Sequence, residues 1–110
     1  MKLKEYLEII EGKLLTKEND LDIEISGGYV SDLLSDVMGS AREGQVWITI
    51  MRHLNVIAVA SLTNISAITF SKGYLPESTV IAKADQEEII LISSKLNTFE
   101  IAGILYKHLS

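Results

Sequence analysis

The sequence predicts an α/β fold, a three-layer αβα sandwich with a mostly parallel sheet built from successive βα units. Three observations carry this. Residues 46–50 (Val-Trp-Ile-Thr-Ile), 67–70 (Ala-Ile-Thr-Phe) and 89–92 (Ile-Ile-Leu-Ile) are short apolar runs rich in β-branched residues. They recur about every 20 residues, the length of a βαβ crossover unit. Each run is continuous rather than alternating, which implies strands covered on both faces.

Each run leads through a polar connector into a helix, at 54–63, about 77–88 and 98–109. Pro76 suits a helix start, because its fixed φ is already helical. Asn97 with Glu100 three residues on approximates a capping box. The helix at 54–63 is apolar almost all round, so it should be deeply buried or lie at a subunit interface.

The first half is less regular. Leu3, Leu7 and Ile10 give a helix over 2–11, with Gly12 placed to end it. Residues 13–16 make a short candidate strand, and 17–20 (Lys-Glu-Asn-Asp) a turn. Leu21, Ile23 and Ile25 alternate with acids, which predicts a half-buried strand broken by Gly27-Gly28. Ser31 is placed to cap a helix ended by Gly39, with Asp32 in its first turn and Leu33, Leu34, Val37 and Met38 as its apolar face.

The 110 residues read as one domain, 1–110, long enough to hide about 65% of the unfolded chain's surface. The absence of cysteine excludes disulfides, thiolate metal sites and thiol catalysis. No segment approaches the roughly 18 apolar residues of a membrane span. Acids interrupt the apolar stripe of the N-terminus, unlike a signal peptide. A cytoplasmic protein is expected. A net charge of −5 without a Lys/Arg cluster argues against nucleic acid as a partner. The mean hydropathy of +0.24 is high for so small a chain. It points to apolar surface covered by a second copy, a homodimer.

In a parallel α/β sheet, ligands gather beyond the carboxyl ends of the strands, at helix N-termini. Three connectors meet that description: Met51-Arg52-His53, Ser71-Lys72-Gly73-Tyr74 and Ser93-Ser94-Lys95. Their cations, hydroxyls, imidazole and backbone N–H groups suit an anion such as a nucleotide phosphate. The ligand-binding candidates are therefore Arg52, His53, Asn55, Ser71, Lys72, Gly73, Ser93 and Ser94. Gly27, Gly28 and Asp32 are secondary candidates, since Gly27-Gly28 lacks the context of a phosphate loop. Polar loops of this kind are also common with no ligand at all. His53 reads either as a ligand contact or as a ring bonded to neighbouring backbone. Asp32 and Asp36, four apart, could hold Mg²⁺, but a solvated helix face is the simpler reading. His108 suits the dipole at a helix C-terminus, and Trp47 reads as core or interface. No catalytic constellation and no metal site are expected, no cofactor is implied, and the chain reads as a non-enzyme.

The block Gly27-Gly-Tyr-Val-Ser-Asp-Leu-Leu-Ser-Asp-Val-Met38, followed by 43–50, 53–60, Gly73, Pro76-Glu77, Lys83-Ala84 and 97–100, resembles a stand-alone DRTGG domain. Such domains are similar to the N-terminal domain of HPr kinase/phosphorylase. They also occur attached to CBS-domain pyrophosphatases, phosphate acetyltransferases and cobyrinic-acid synthase-like proteins. The resemblance implies an αβα domain, self-association and a regulatory or ligand-sensing role. Stand-alone copies lie near iron-only hydrogenase and sensor-kinase genes, which implies a hydrogenase-related or signalling partner. The chain departs from the naming motif. Arg52-His53 stands for Asp-Arg, with Asn55 near the following Asp, and Ser71-Lys72-Gly73 stands for Thr-Gly-Gly. The phosphate-binding loop of the kinase has no counterpart here.

Overall fold

In the computed structural model, which describes residues 1–17 and 20–109, the three apolar runs lie side by side. Strands β1 (Gly12–Leu14), β2 (Gly27–Val30), β3 (Gln45–Thr49), β4 (Ala67–Phe70) and β5 (Leu91–Ser94) form one sheet, ordered β1-β5-β4-β3-β2. Strands β2 to β5 are parallel, and β1 joins β5 antiparallel with Gly12 opposite Ser94. The helices are α1 (Leu3–Ile9), α2 (Leu34–Ser40), α3 (Asn55–Thr63), α4 (Ser78–Gln86) and α5 (Thr98–Leu109).

From β2 to β5 the chain advances one place at a time in the same direction. Right-handed crossovers taken in one direction put every linking helix on the same face. Helices α2, α3 and α4 accordingly close over Trp47, Ile68, Phe70 and Leu91 through Val37, Val56, Ile57, Val80 and Ala84. The opposite face is left to α1 and α5, whose Leu3, Tyr6, Ile10, Ile101 and Leu105 meet Val46, Ile48, Ala67 and Ile92. Strands β3, β4 and β5 thus bury both sets of side chains, at about 1.5–3 kcal/mol per large aliphatic group, while the edge strands β1 and β2 are partly exposed. The expected three-layer sandwich is what forms.

The second half follows the sequence closely. The capping box of α5 is present, with Asn97 N donating to Glu100 Oε1 at 3.0 Å and Glu100 N donating to Asn97 Oδ1 at 2.8 Å. One boundary moves. Strand β5 starts at Leu91, because Glu88 adopts a left-handed φ of 59° and Ile89 N bonds Ala84 O, closing the end of α4. Ser93 and Ser94 are therefore strand residues and not part of a connector.

The first half departs further. Leu21, Ile23 and Ile25 do not form a strand; this stretch has only a bridge between Lys2 and Glu24. Its carbonyls are used elsewhere, since Ile23 O and Leu21 O accept the N–H groups of Leu3 and Lys4 at the start of α1. The alternation reported burial rather than pairing. The strand falls instead on Gly27–Val30. At Gly28 a Cβ would sit 2.7 Å from Leu105 Cδ2, so the glycine admits α5 rather than breaking the strand. Glu11, with φ of 54°, makes the turn after α1, and Gly12 is already in β1. Ser31 does not cap α2. Its hydroxyl accepts Leu33 N, α2 begins at Leu34 with Asp36 in its first turn, and the helix runs through Gly39 to Ser40. Leu33 and Met38 are exposed. Of the expected turn at 17–20, Glu18 and Asn19 lie outside the described residues, while Asp20 Oδ1 accepts Asp22 N. No helix among the described residues is long and apolar enough to cross a membrane.

Candidate functional site

Parallel register sets the three connectors level with one another. Thr49, the last residue of β3, lies beside Phe70, the last of β4, and Phe70 lies beside Ser93 near the end of β5. The loops that follow enter α3, α4 and α5, so all three connectors meet at one edge of the sheet.

At that edge the polar groups sort into two layers. The hydroxyls face inward. Ser71 Oγ and Thr98 Oγ1 are 2.6 Å apart, Ser93 Oγ donates to Tyr74 O, and Ser94 Oγ donates to Ile10 O at 2.6 Å. All three serines are buried. The backbone completes the lacing, since Lys72 N donates to Leu96 O and Gly73 N to Ser94 O. Lys72 and Gly73 both adopt left-handed φ, 63° and 71°, which turns the loop back over β5. The Ser71 and Ser93 hydroxyls staple the loop 71–74 to the start of α5 and the end of β5, and the Ser94 hydroxyl ties β5 to the end of α1.

The cations face outward. Arg52 is exposed, with Cζ 4.3 Å from the centre of the Tyr74 ring and Nε bonded to Ile50 O. Lys72 Nζ lies 5.7 Å from the same ring. A cation at this distance is held by the ring quadrupole, so the phenol gathers both charges at one place. His53 is exposed, and its Nδ1 accepts the N–H of Asn55, the first residue of α3. That bond puts the ring proton of a neutral His53 on Nε2.

Beside Arg52 and His53 opens a cleft of about 590 Å³ between the β3–α3 loop and the start of α4. Ile50, Leu54, Leu75 and Pro76 form apolar wall, and Glu77 and Thr79 add polar groups from the start of α4. The arrangement combines a guanidinium, an imidazole and an apolar wall, which suits an anion carrying a planar or apolar body.

Asp32 lies at the root of this edge without joining the cleft lining. Its Oδ1 accepts Thr49 Oγ1 at 2.7 Å and Ile50 N at 3.0 Å, and Thr49 Oγ1 accepts Met51 N. The carboxylate thereby fixes the exit of β3 towards Arg52. Asp36 is occupied separately by the Tyr29 hydroxyl at 2.8 Å, and that bond to a carboxylate pushes the Tyr29 pKa up. The described residues contain no group of three or more His, Asp or Glu able to hold a metal ion. Gly27 and Gly28 sit at the opposite edge, since Gly27 pairs with Gln45, the first residue of β3. His108 Nδ1 is 2.9 Å from Ile104 O in the last turn of α5.

Among the sequence candidates, the structure brings Arg52 and Lys72 together over Tyr74, leaves His53 beside Arg52 in the cleft, puts Asn55 in a separate groove with Lys83 and Glu87, and turns Ser71, Ser93 and Ser94 inward. Tyr74, Leu75, Glu77 and Thr79 join the site although sequence reasoning did not single them out. The available signal was Tyr74-Leu75-Pro76, an aromatic and an aliphatic residue just before a helix at the carboxyl edge.

No protein-family model matches the sequence, and no curated protein matches it. The fold is similar to a crystal structure of the CBS and DRTGG domains of the regulatory region of Clostridium perfringens pyrophosphatase, complexed with its activator diadenosine tetraphosphate. The TM-score is 0.78 at 14% sequence identity, over 94% of this chain and 45% of that one. The chain therefore has a DRTGG-like fold and spans less than half the length of that regulatory region.

Proposed function

We propose that this chain is a non-catalytic regulatory module, a single cytoplasmic domain that acts as a homodimer. It senses a small anionic ligand, an adenine nucleotide foremost, in the cleft beside Arg52. The observation that carries the reading is Arg52, which lines that cleft and whose guanidinium lies over the Tyr74 ring, with Lys72 over the same ring. A nucleotide offers phosphates to the guanidinium and a flat base to the apolar wall of Ile50, Leu54 and Leu75. The nucleotide-complexed regulatory region that shares the fold supports this ligand class. His53 and Glu77 define the α3 and α4 sides of the site. Ser71, Ser93 and the backbone bond from Gly73 to Ser94 hold the loop that carries Lys72 and Tyr74.

Isothermal titration of diadenosine tetraphosphate, ATP, AMP and inorganic phosphate tests the proposal. Heat is expected with at least one nucleotide, and Arg52→Ala should weaken it by about tenfold or more, the worth of a charge-assisted hydrogen bond. No heat with any of the four defeats the ligand half of the reading.

A second reading is a protein-interaction module with no small-molecule ligand, serving a hydrogenase-related or signalling partner. Leu54 and Leu62, exposed along α3 above a groove that includes Ile57 and Ala58, favour it. A pull-down from an anaerobic lysate that recovers only the protein itself counts against it.

A further inference from the structure

We infer that Glu77 selects the sugar of the bound nucleotide, its carboxylate accepting the two vicinal hydroxyls of a ribose. This inference rests on the nucleotide reading above and goes further, because it names which nucleotides the cleft takes. Among the described residues that line the cleft, Glu77 is the sole acid and Arg52 the sole permanent cation. They enter from different sides, Arg52 from the β3–α3 loop and Glu77 from the residue before α4. The two charges are not spent on each other, since no ion pair among the described residues joins them. Nor does the Glu77 side chain serve its own helix. It stands at the N-cap of α4 without a side-chain cap bond, and only its backbone O takes part there, accepting Val80 N.

An acid in the wall of an anion site opposes any bare anion, because like charges are brought together. It favours binding only when the ligand carries hydrogen-bond donors as well as phosphate. A ribonucleotide offers two kinds. The adenine amino group stands beside the N7 acceptor, whose lone pair would face the second carboxylate oxygen. The vicinal 2′ and 3′ hydroxyls have no such conflict. Two O–H donors meet two carboxylate oxygens, in a pair of charge-assisted bonds. Dinucleotide-binding folds use the same chemistry, with an acid on the ribose and phosphate held nearby. The cleft of about 590 Å³ has room for a whole mononucleotide. With phosphates at Arg52 and the base on the wall of Leu54 and Leu75, the sugar comes between them, where the α4 side supplies Glu77.

Isothermal titration of ATP, 2′-deoxyATP, 2′,3′-dideoxyATP and pyrophosphate into wild type and Glu77→Ala tests this, with circular-dichroism melts to verify folding. The three nucleotides carry the same charge, so any difference among them reports the hydroxyls. Wild type should bind ATP about tenfold or more tighter than 2′,3′-dideoxyATP, with 2′-deoxyATP between them. In Glu77→Ala the preference should shrink to under about threefold, and pyrophosphate should bind more tightly than to wild type, because the opposing charge is gone. Equal affinity of wild type for all three nucleotides overturns the sugar selection and leaves the nucleotide reading intact, and this arm needs no variant. A preference that survives in Glu77→Ala overturns the role of Glu77. No heat with any nucleotide overturns both the inference and the reading beneath it.

Discussion

Over Trp47, Ile68, Phe70 and Leu91 lie three helices that the chain lays down on its way from one strand to the next. Over Val46, Ile48, Ala67 and Ile92 lie the first and last helices of the described chain. On the first face, sequence order fixes which helix covers which strands, and polar ties such as Trp47 Nε1 to Ser31 O and Thr49 Oγ1 to Asp32 Oδ1 span only 16 and 17 residues. On the second, α1 must find its place against strands far along the chain. Apolar contact is not directional, and this face adds directional bonds. The Tyr6 hydroxyl lies 2.7 Å from Thr69 Oγ1, 63 residues away, and Ser94 Oγ donates to Ile10 O, 84 residues away. The difference teaches that the polar pairs reaching far along the chain sit where connectivity does not already choose the register.

The largest effect should come from the three-helix face. Trp47 is fully buried there, and its indole N–H donates to Ser31 O at 2.8 Å. Trp47→Ala should destabilise the fold by about 3–5 kcal/mol in urea unfolding, as expected for deleting a core indole. A loss under 1 kcal/mol would show that this face is not held by its packing.

On the two-helix face, Tyr6→Phe leaves the Thr69 hydroxyl buried with no phenol partner and should cost about 1–3 kcal/mol. Thr69→Val should cost a similar amount. The double variant Y6F/T69V should be nearly as stable as wild type, because both polar groups are then gone. Additive losses would mean that the pair does not act as a unit.

The same hydroxyl gives this face a pH signature. Burial pushes the Tyr6 pKa up from its ordinary value of 10.0, with the bond to Thr69 opposing the shift more weakly. The folded state thus holds the phenol proton more tightly than the unfolded state. The stability from this difference is fully present below pH 10 and is lost as pH rises from there towards the folded pKa. The slope should approach about 1.4 kcal/mol per pH unit for one proton. Denaturant melts between pH 9 and pH 11 should show this decline in wild type, and it should be smaller in Tyr6→Phe. An unchanged slope would mean that Tyr6 does not supply it.

What the sequence revealed divides along the same line. The three apolar runs could be read because both of their faces are buried, which leaves a continuous pattern whose shortness and β-branched residues set it apart from a buried helix. The capping residues Asn97 and Glu100 could be read because their partners are three residues away. The stretch from Leu21 to Val30 could not. The partners of Ile23 O and Leu21 O are on α1, and the reason for Gly28 is Leu105, far along the chain. At the candidate site, Arg52 and Lys72 were legible from the rule that places ligands at carboxyl ends. That Ser71, Ser93 and Ser94 turn inward was not, since their partners Thr98, Tyr74 and Ile10 are fixed only by the fold.

The smallest effect concerns Ser94, where the two-helix face and the candidate site meet. Its hydroxyl donates to Ile10 O and accepts Leu96 N, so one buried group ties the end of α1 to the loop that opens α5. Gly73 N donates to Ser94 O from the loop bearing Lys72, so the same residue anchors a cation loop through its backbone. Ser94→Ala removes the side-chain bonds and keeps the backbone one. It should cost about 1 kcal/mol, the net worth of a buried hydrogen bond with part of its desolvation penalty. The position of Lys72 over Tyr74 should survive, so any nucleotide affinity should change by less than about threefold, under 0.7 kcal/mol. A large loss of affinity at this small cost in stability would make the hydroxyl part of the site rather than a support for the loops around it.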